Sequence, residues 1–284
     1  HGPFSTWNNE WYMGFPFRFF YPPLFHYLNA LIKSIFSSLS VSLIYHFLAA
    51  SFYSVGAVGL YFFIRYLTRK TWPGFLAGFM FTLLPSASYL IEIVKNYGSK
   101  FYLAPWRLVV LLEFGEGPHV SALSLLPLVL LVFLWALRKP SFKSYLIASL
   151  SLAIIPLINW PAAIALAFSL LALVFASMLA GHAKFKLKRS LLIILTAYLF
   201  SAFWLSFSYI YTTFTIAGPR AGGGFMSSFF SILPWLVIIS PFLIGLAVAF
   251  FNKKKKLLPW TFILFYLLFF SVIVYTAYFS DIKI

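Results

Sequence analysis

The chain has 284 residues and no cysteine, and only 9% of its side chains are charged while 62% are hydrophobic; a soluble domain carries roughly 25% charged residues. Too little polar surface remains to face water, which excludes a soluble globular fold. The absence of cysteine excludes disulfides, thiolate metal sites and cysteine nucleophiles. The charge is lopsided, with 21 Lys and Arg against 5 Asp and Glu, for a net +16. Such a balance raises nucleic acid as a partner until the charges are placed along the chain.

Residues 1–40 read as a loop that carries a short helix over Pro22–Ser38, entered by Tyr21-Pro22-Pro23 and anchored by Lys33. At about 15 residues this helix is short for a span and reads as interfacial or re-entrant. Eight apolar segments follow, at approximately 41–66, 72–94, 119–137, 144–159, 161–180, 190–212, 231–251 and 257–279. Each is close to the length that crosses ~30 Å of hydrocarbon at 1.5 Å per residue. The expected fold is therefore all-α: a polytopic transmembrane bundle over residues 41–284, with 1–40 as an outer loop. The fourth and fifth segments share one apolar stretch, broken at Ile158-Asn159-Trp160-Pro161. Pro161 suits the first turn of a new helix, and the alternative is one over-long kinked helix.

The basic residues discriminate between these two. Arg65, Arg69 and Lys70; Arg138, Lys139 and Lys143; Lys184, Lys186, Lys188 and Arg189; and Lys253 to Lys256 occupy four short connections that contain no acid. Basic loops flanking spans are cytoplasmic, and only eight spans keep all four on one side. The outer face then holds Arg18, Lys33, Lys95, Lys100, Arg107, Arg220 and Lys283 with all five acids, Glu10, Glu92, Glu113, Glu116 and Asp281. Both chain ends fall outside, which leads to the expectation of a further helix before His1, or of a cleaved signal sequence. Nucleic acid is rejected as a partner, because the cations form short membrane-flanking clusters. Away from the span ends His46 is the ionisable candidate inside the membrane, with Glu92 near an end where it can reach the interface; His46 is expected to pack against a hydroxyl, and the scarcity of buried charge argues against ion-coupled transport.

Three long outer segments, 1–40, 95–118 and 213–230, are where chemistry could sit. Glu10 is the only acid of the first; it is a candidate general base, with His1 or His26 nearby, or alternatively a solvated loop carboxylate. The second holds Lys95, Lys100 and Arg107, then Glu113-Phe-Gly-Glu116-Gly-Pro-His119. Two carboxylates and an imidazole within seven residues suit Mg2+ or Mn2+; the alternative is a solvated turn with Glu116 near a helix N-terminus. The third, Ala217-Gly-Pro-Arg220-Ala-Gly222-Gly223-Gly224, could bring backbone N–H groups to a phosphate beside Arg220, or serve as a plain flexible loop.

Trp11, Gly14-x-Pro16 and Tyr21-Pro22-Pro23-Leu24, followed by an aromatic-rich helix, carry a resemblance. The segment is similar to the first outer loop of the GT-C fold integral-membrane glycosyltransferases, nearest to the prokaryotic membrane proteins called 6-pyruvoyl-tetrahydropterin synthase-related, a label that need not imply pterin chemistry. The resemblance implies a prokaryotic plasma-membrane protein that moves a sugar from a polyprenyl-phosphate donor at the outer face. The family's acid generally lies just after its first helix, which would fall ahead of His1; Glu10, the only acid in the loop, is then its neighbour rather than its equivalent, or takes its place. On this expectation Glu10 is catalytic, Arg18, Lys95, Lys100, Arg107 and Arg220 meet the phosphate, and Glu113, Glu116 and His119 hold a metal. The rival reading is a non-catalytic scaffold or assembly subunit, or a transporter of a lipid or apolar solute.

Overall fold

The structure is a computed structural model that describes residues 21–83 and 105–212, with the shorter stretches 7–8, 15–16, 258–259, 261–263 and 266–267. Two residue pairs, β1 (Trp7–Asn8) and β2 (Phe15–Pro16), align antiparallel with Trp7 opposite Pro16. The other elements among the described residues are helical: α1 (Leu24–Ile35), α2 (Val41–Thr68), α3 (Thr71–Leu83), α4 (Trp106–Leu112), α5 (Gly117–Arg138), α6 (Phe142–Ile158), α7 (Trp160–Leu179), α8 (Ala183–Ser201) and α9 (Phe207–Thr212). Of these, α2, α5 and α7 are long and apolar enough to cross a membrane, and α6 is a shorter apolar helix. The chain is thus a bundle of apolar helices, compatible with an integral membrane protein. The expected segment 231–251, most of 257–279 and the second half of 72–94 lie outside the described residues.

Local chemistry explains the boundaries. Pro22 and Pro23 precede α1 as expected, and Lys33 Nζ closes its far end by donating to the carbonyls of Ser37 (2.5 Å) and Leu39 (2.7 Å). Ser40 caps α2 by accepting from the Leu43 N–H, and Arg69 ends it in the left-handed region at φ 61°. Ser141 and Ser144 form a reciprocal capping box at the start of α6, satisfying two donors that a helix N-terminus otherwise leaves open. The break expected at Asn159 is present: α6 stops at Ile158, Asn159 is extended (φ −155°, ψ 126°), and α7 begins at Trp160.

One boundary differs from expectation. The segment 190–212 is not a single helix, because α8 starts at Ala183, taking in the basic residues 184–189, and ends at Ser201. The Ser201 hydroxyl donates back to Ala197 O (3.3 Å) and Tyr198 O (3.1 Å), while its own carbonyl accepts from Trp204 and Leu205 in a tight turn. Side-chain back-bonding of this kind competes with helix continuation, and α9 resumes only at Phe207.

The chain divides into two compact units, one of residues 1–166 and 193–206, the other of 167–192 and 207–284. In the second, a turn through Gly181 (φ 114°) and His182 (φ 57°) separates α7 from α8, and Lys186 Nζ reaches back to Ser177 O at 2.7 Å. The first unit is organised around α2. Across α2 and α3, Tyr61 meets Gly74, Ala57 meets Gly78 and Tyr53 donates to Thr82 O (3.2 Å), an unbroken antiparallel register. A Cβ on Gly74 or Gly78 would stand 2.8 or 2.9 Å from the facing carbonyl oxygen, so the Gly-x-x-x-Gly stripe lets the two backbones touch. Across α2 and α5 the register is parallel: Tyr45 meets Gly115 and Gly117, Gly59 meets Leu128, and Tyr66 meets Arg138. Helix α5 is enclosed, with Val120, Leu126, Phe133, Leu134 and Leu137 buried, whereas α2 and α3 leave Phe47, Phe62, Trp72, Phe75 and Phe79 exposed. Apolar surface of that extent marks an interaction site such as a lipid-facing one.

Candidate functional site

The end of the first unit where α2 and α5 begin gathers most of the described polar side chains that the sequence singled out. Helix α1 lies against it, burying Phe25 and Asn29, which are four residues apart and so share one face. The Phe25 ring packs edge-on against Tyr45 at 5.3 Å and lies 6.4 Å from Phe52. Asn29 Nδ2 donates to Phe25 O at 2.8 Å, within α1, and its Oδ1 has no protein partner among the described residues.

Tyr45 joins α2 to the turn ahead of α5. Its hydroxyl donates to Gly115 O at 2.6 Å and accepts from the Gly117 N–H at 3.0 Å. Gly117 is required by this closeness, since a Cβ there would lie 2.6 Å from the Tyr45 hydroxyl. Glu113 ends α4 and Glu116 occupies the N-cap position of α5; both side chains are exposed, and Glu116 makes no capping bond with its side chain. The expected placement of Glu116 at a helix N-terminus therefore holds, while its carboxylate stays available to solvent.

His119 makes a contact that the sequence did not announce. Its Nδ1 lies 3.0 Å from Asn159 Oδ1, and that same oxygen accepts from the Ala162 N–H at 3.0 Å, capping α7. One amide thus anchors the α6–α7 junction to the first turn of α5. Among the described residues no three His, Asp or Glu side chains converge as a metal site, so Glu113, Glu116 and His119 are not assembled into one by the described geometry.

Two imidazoles complete this end. His26 is half-buried on α1, edge-on to Tyr21 (6.2 Å) and Phe25 (6.3 Å). Burial holds its pKa below the usual histidine value, because the charged form is the harder one to desolvate. His46 is exposed on α2 with its ring edge-on to that of Tyr45, 5.7 Å away.

Of the cations expected at a phosphate, Arg107 alone falls among the described residues. Its guanidinium donates to Phe81 O and sits 3.3 Å above the centre of the Phe81 ring, beside the Tyr53 hydroxyl. It thereby secures α4 to the end of α3. Glu10, which falls between β1 and β2, and Arg18, Lys95, Lys100 and Arg220 lie outside the described residues.

The chain matches no family model, no curated protein and no solved structure.

Tyr45 and Asn159 carry the connections at this end, and neither was expected as a site residue. Asn159 carried a signal, as a lone polar residue ahead of Pro161 inside an apolar run. Tyr45 carried none, being one aromatic among 62 in the chain with 36 Phe, 17 Tyr and 9 Trp.

Proposed function

We propose that the protein is a GT-C-like membrane glycosyltransferase, whose working face is the end at which α2 and α5 begin. The observation that supports this reading is the meeting of two expected outer segments there: α1 of the first and the Gly115–His119 turn of the second, linked through Phe25, Tyr45 and Gly117. The eight-span topology belongs to the same proposal. It draws support from the antiparallel α2–α3 and parallel α2–α5 registers, which bring Arg65 and Arg69 to the same end as Arg138 and Lys139, as the charge pattern requires.

In the proposed reaction a polyprenyl-phosphate-linked sugar enters laterally between helices. Glu10 takes the proton of the acceptor hydroxyl, the acceptor oxygen attacks the anomeric carbon, and the sugar–phosphate bond breaks. Arg18, Lys95 and Lys100 are the groups that stabilise the departing phosphate in this reading, and Arg107 braces α4 against the end of α3. The solvent-facing carboxylate of Glu116 borders the acceptor side. No step is routed through Mg2+ or Mn2+, since Glu113, Glu116 and His119 do not converge. The test is turnover of a lipid-linked sugar by the full-length protein, with Glu10→Ala and Glu116→Ala assayed separately. We expect loss of turnover in Glu10→Ala and a weaker defect in Glu116→Ala; full activity in both sinks the proposal.

A second reading, a non-catalytic scaffold or assembly subunit, draws on the use of Tyr45, His119 and Asn159 as braces between helices. Lipid-linked sugars that neither bind nor turn over, with the fold intact, would favour it.

A further inference from the structure

At the opposite end of α2 and α5 the structure contains a second feature, which the proposed sugar transfer does not use. The last turns of these two parallel helices open into a pocket of about 540 Å³. Four cations line it: Arg65 and Arg69 from α2, and Arg138 and Lys139 from α5, all exposed. Phe62 and Leu131 supply an apolar wall on the side facing the helices' interior turns. Arg138 is held in place, its guanidinium 4.5 Å above the Tyr66 ring and donating to Tyr66 O at 3.2 Å. Arg65 is likewise braced by Tyr61, whose hydroxyl accepts from it at 3.1 Å.

Nothing described nearby neutralises this group. The two acids among the described residues, Glu113 and Glu116, precede α5, while Arg138 ends it. At 1.5 Å per residue the length of α5 separates them by roughly 30 Å. Like charges crowded at one site repel one another unless an anion lies among them. The occupant must also tolerate an apolar flank and the level at which apolar helices end.

We infer that this pocket binds the phosphate of an anionic phospholipid, with its glycerol and first methylenes against Phe62 and Leu131. A phosphate ester satisfies the cations, the acyl chains continue along the exposed apolar faces of α2, and basic pockets between helix ends at a membrane surface recognise such head groups. Lys70 and Lys143 lie at the same end but do not line the pocket, so bulk charge and the built site are separable.

The experiment uses the full-length protein in neutral detergent, with native mass spectrometry counting bound dioleoyl phosphatidylglycerol or dioleoyl phosphatidylcholine. We expect one phosphatidylglycerol to be retained per chain, and phosphatidylcholine to bind on the order of tenfold more weakly. Arg69→Gln/Lys139→Gln removes the two lining cations that brace no other side chain, and should weaken phosphatidylglycerol binding on the order of tenfold or more. Lys70→Gln/Lys143→Gln removes equal charge outside the pocket and should leave binding unchanged, as should the charge-conserving Arg69→Lys/Lys139→Arg. Undiminished binding by Arg69→Gln/Lys139→Gln overturns the site, and equal weakening by both neutralising pairs reduces it to bulk attraction. Displacement by inorganic phosphate at the lipid's own concentration would assign the pocket to a free anion instead.

Discussion

The Tyr45 hydroxyl both donates to Gly115 O at 2.6 Å and accepts from Gly117 N–H at 3.0 Å, clasping the turn that opens α5. Tyr45→Phe keeps the ring against Phe25 but leaves a carbonyl and an N–H without this partner. We expect a loss of about 1–3 kcal/mol, read as a lower midpoint of thermal or denaturant unfolding. Gly117→Ala should do comparable damage by pushing the Tyr45 hydroxyl from its seat. An unchanged midpoint in both would show that the clasp contributes nothing.

Asn159 has two duties that substitution can separate. Asn159→Ala removes the N-cap of α7, a loss of about 1 kcal/mol, together with the contact to His119. Asn159→Asp retains an oxygen for the Ala162 N–H and should recover most of that stability. A double-mutant cycle with His119→Ala should then show coupling of about 0.5 kcal/mol or more; additive effects would mean that the 3.0 Å contact is energetically silent.

The α2–α3 seam should be intolerant of added volume on one face only. Gly78→Ala places a methyl 2.9 Å from Ala57 O, a backbone atom that cannot turn aside, and we expect about 1–3 kcal/mol of destabilisation. Leu76→Ala, on the outward and exposed face of the same helix, should stay within about 0.5 kcal/mol. Unfolding of the purified protein in detergent compares the two directly.

His26 makes stability depend on pH in a defined direction. Its pKa in the folded chain lies below the ordinary value of 6.5 because of burial. The unfolded chain therefore binds the proton more readily, and stability falls as pH drops through 6.5 towards the folded value. Above 6.5 both states are neutral at this residue and its contribution is constant. His26→Gln should flatten the acid side of a plot of midpoint against pH between 7 and 5; an identical slope in wild type and variant would assign that limb to other groups.

Composition and hydropathy made the helical character legible, because a chain so poor in charge has little alternative to apolar helices. Pro161 and Asn159 together announced the α6–α7 boundary, and Pro22-Pro23 announced α1. The end of α8 was not legible: Ser201 is an ordinary small residue in an apolar run, and only its hydroxyl's choice of Ala197 O and Tyr198 O reveals the stop. Glu113, Glu116 and His119 are neighbours in sequence but belong to different places in the fold, the end of α4, the N-cap of α5 and the first turn of α5. Tyr45 was invisible for a different reason, since its partners lie 70 and 72 residues away. The pairing of Arg65 and Arg69 with Arg138 followed from sidedness, whereas the pocket between them required the parallel register.

The glycine seam also bears on how the chain is made. Helices α2 and α3 are separated only by Arg69 and Lys70, while α5 must return across some 70 residues to reach the other side of α2. Closing the short connection costs far less chain entropy than closing the long one. A nascent chain halted before Trp106 should therefore already hold the hairpin, and a Tyr53→Cys/Thr82→Cys pair should crosslink at that stage. During synthesis α2 is then half-clothed, with the Gly59 face waiting for Leu128 of a helix the ribosome has yet to deliver.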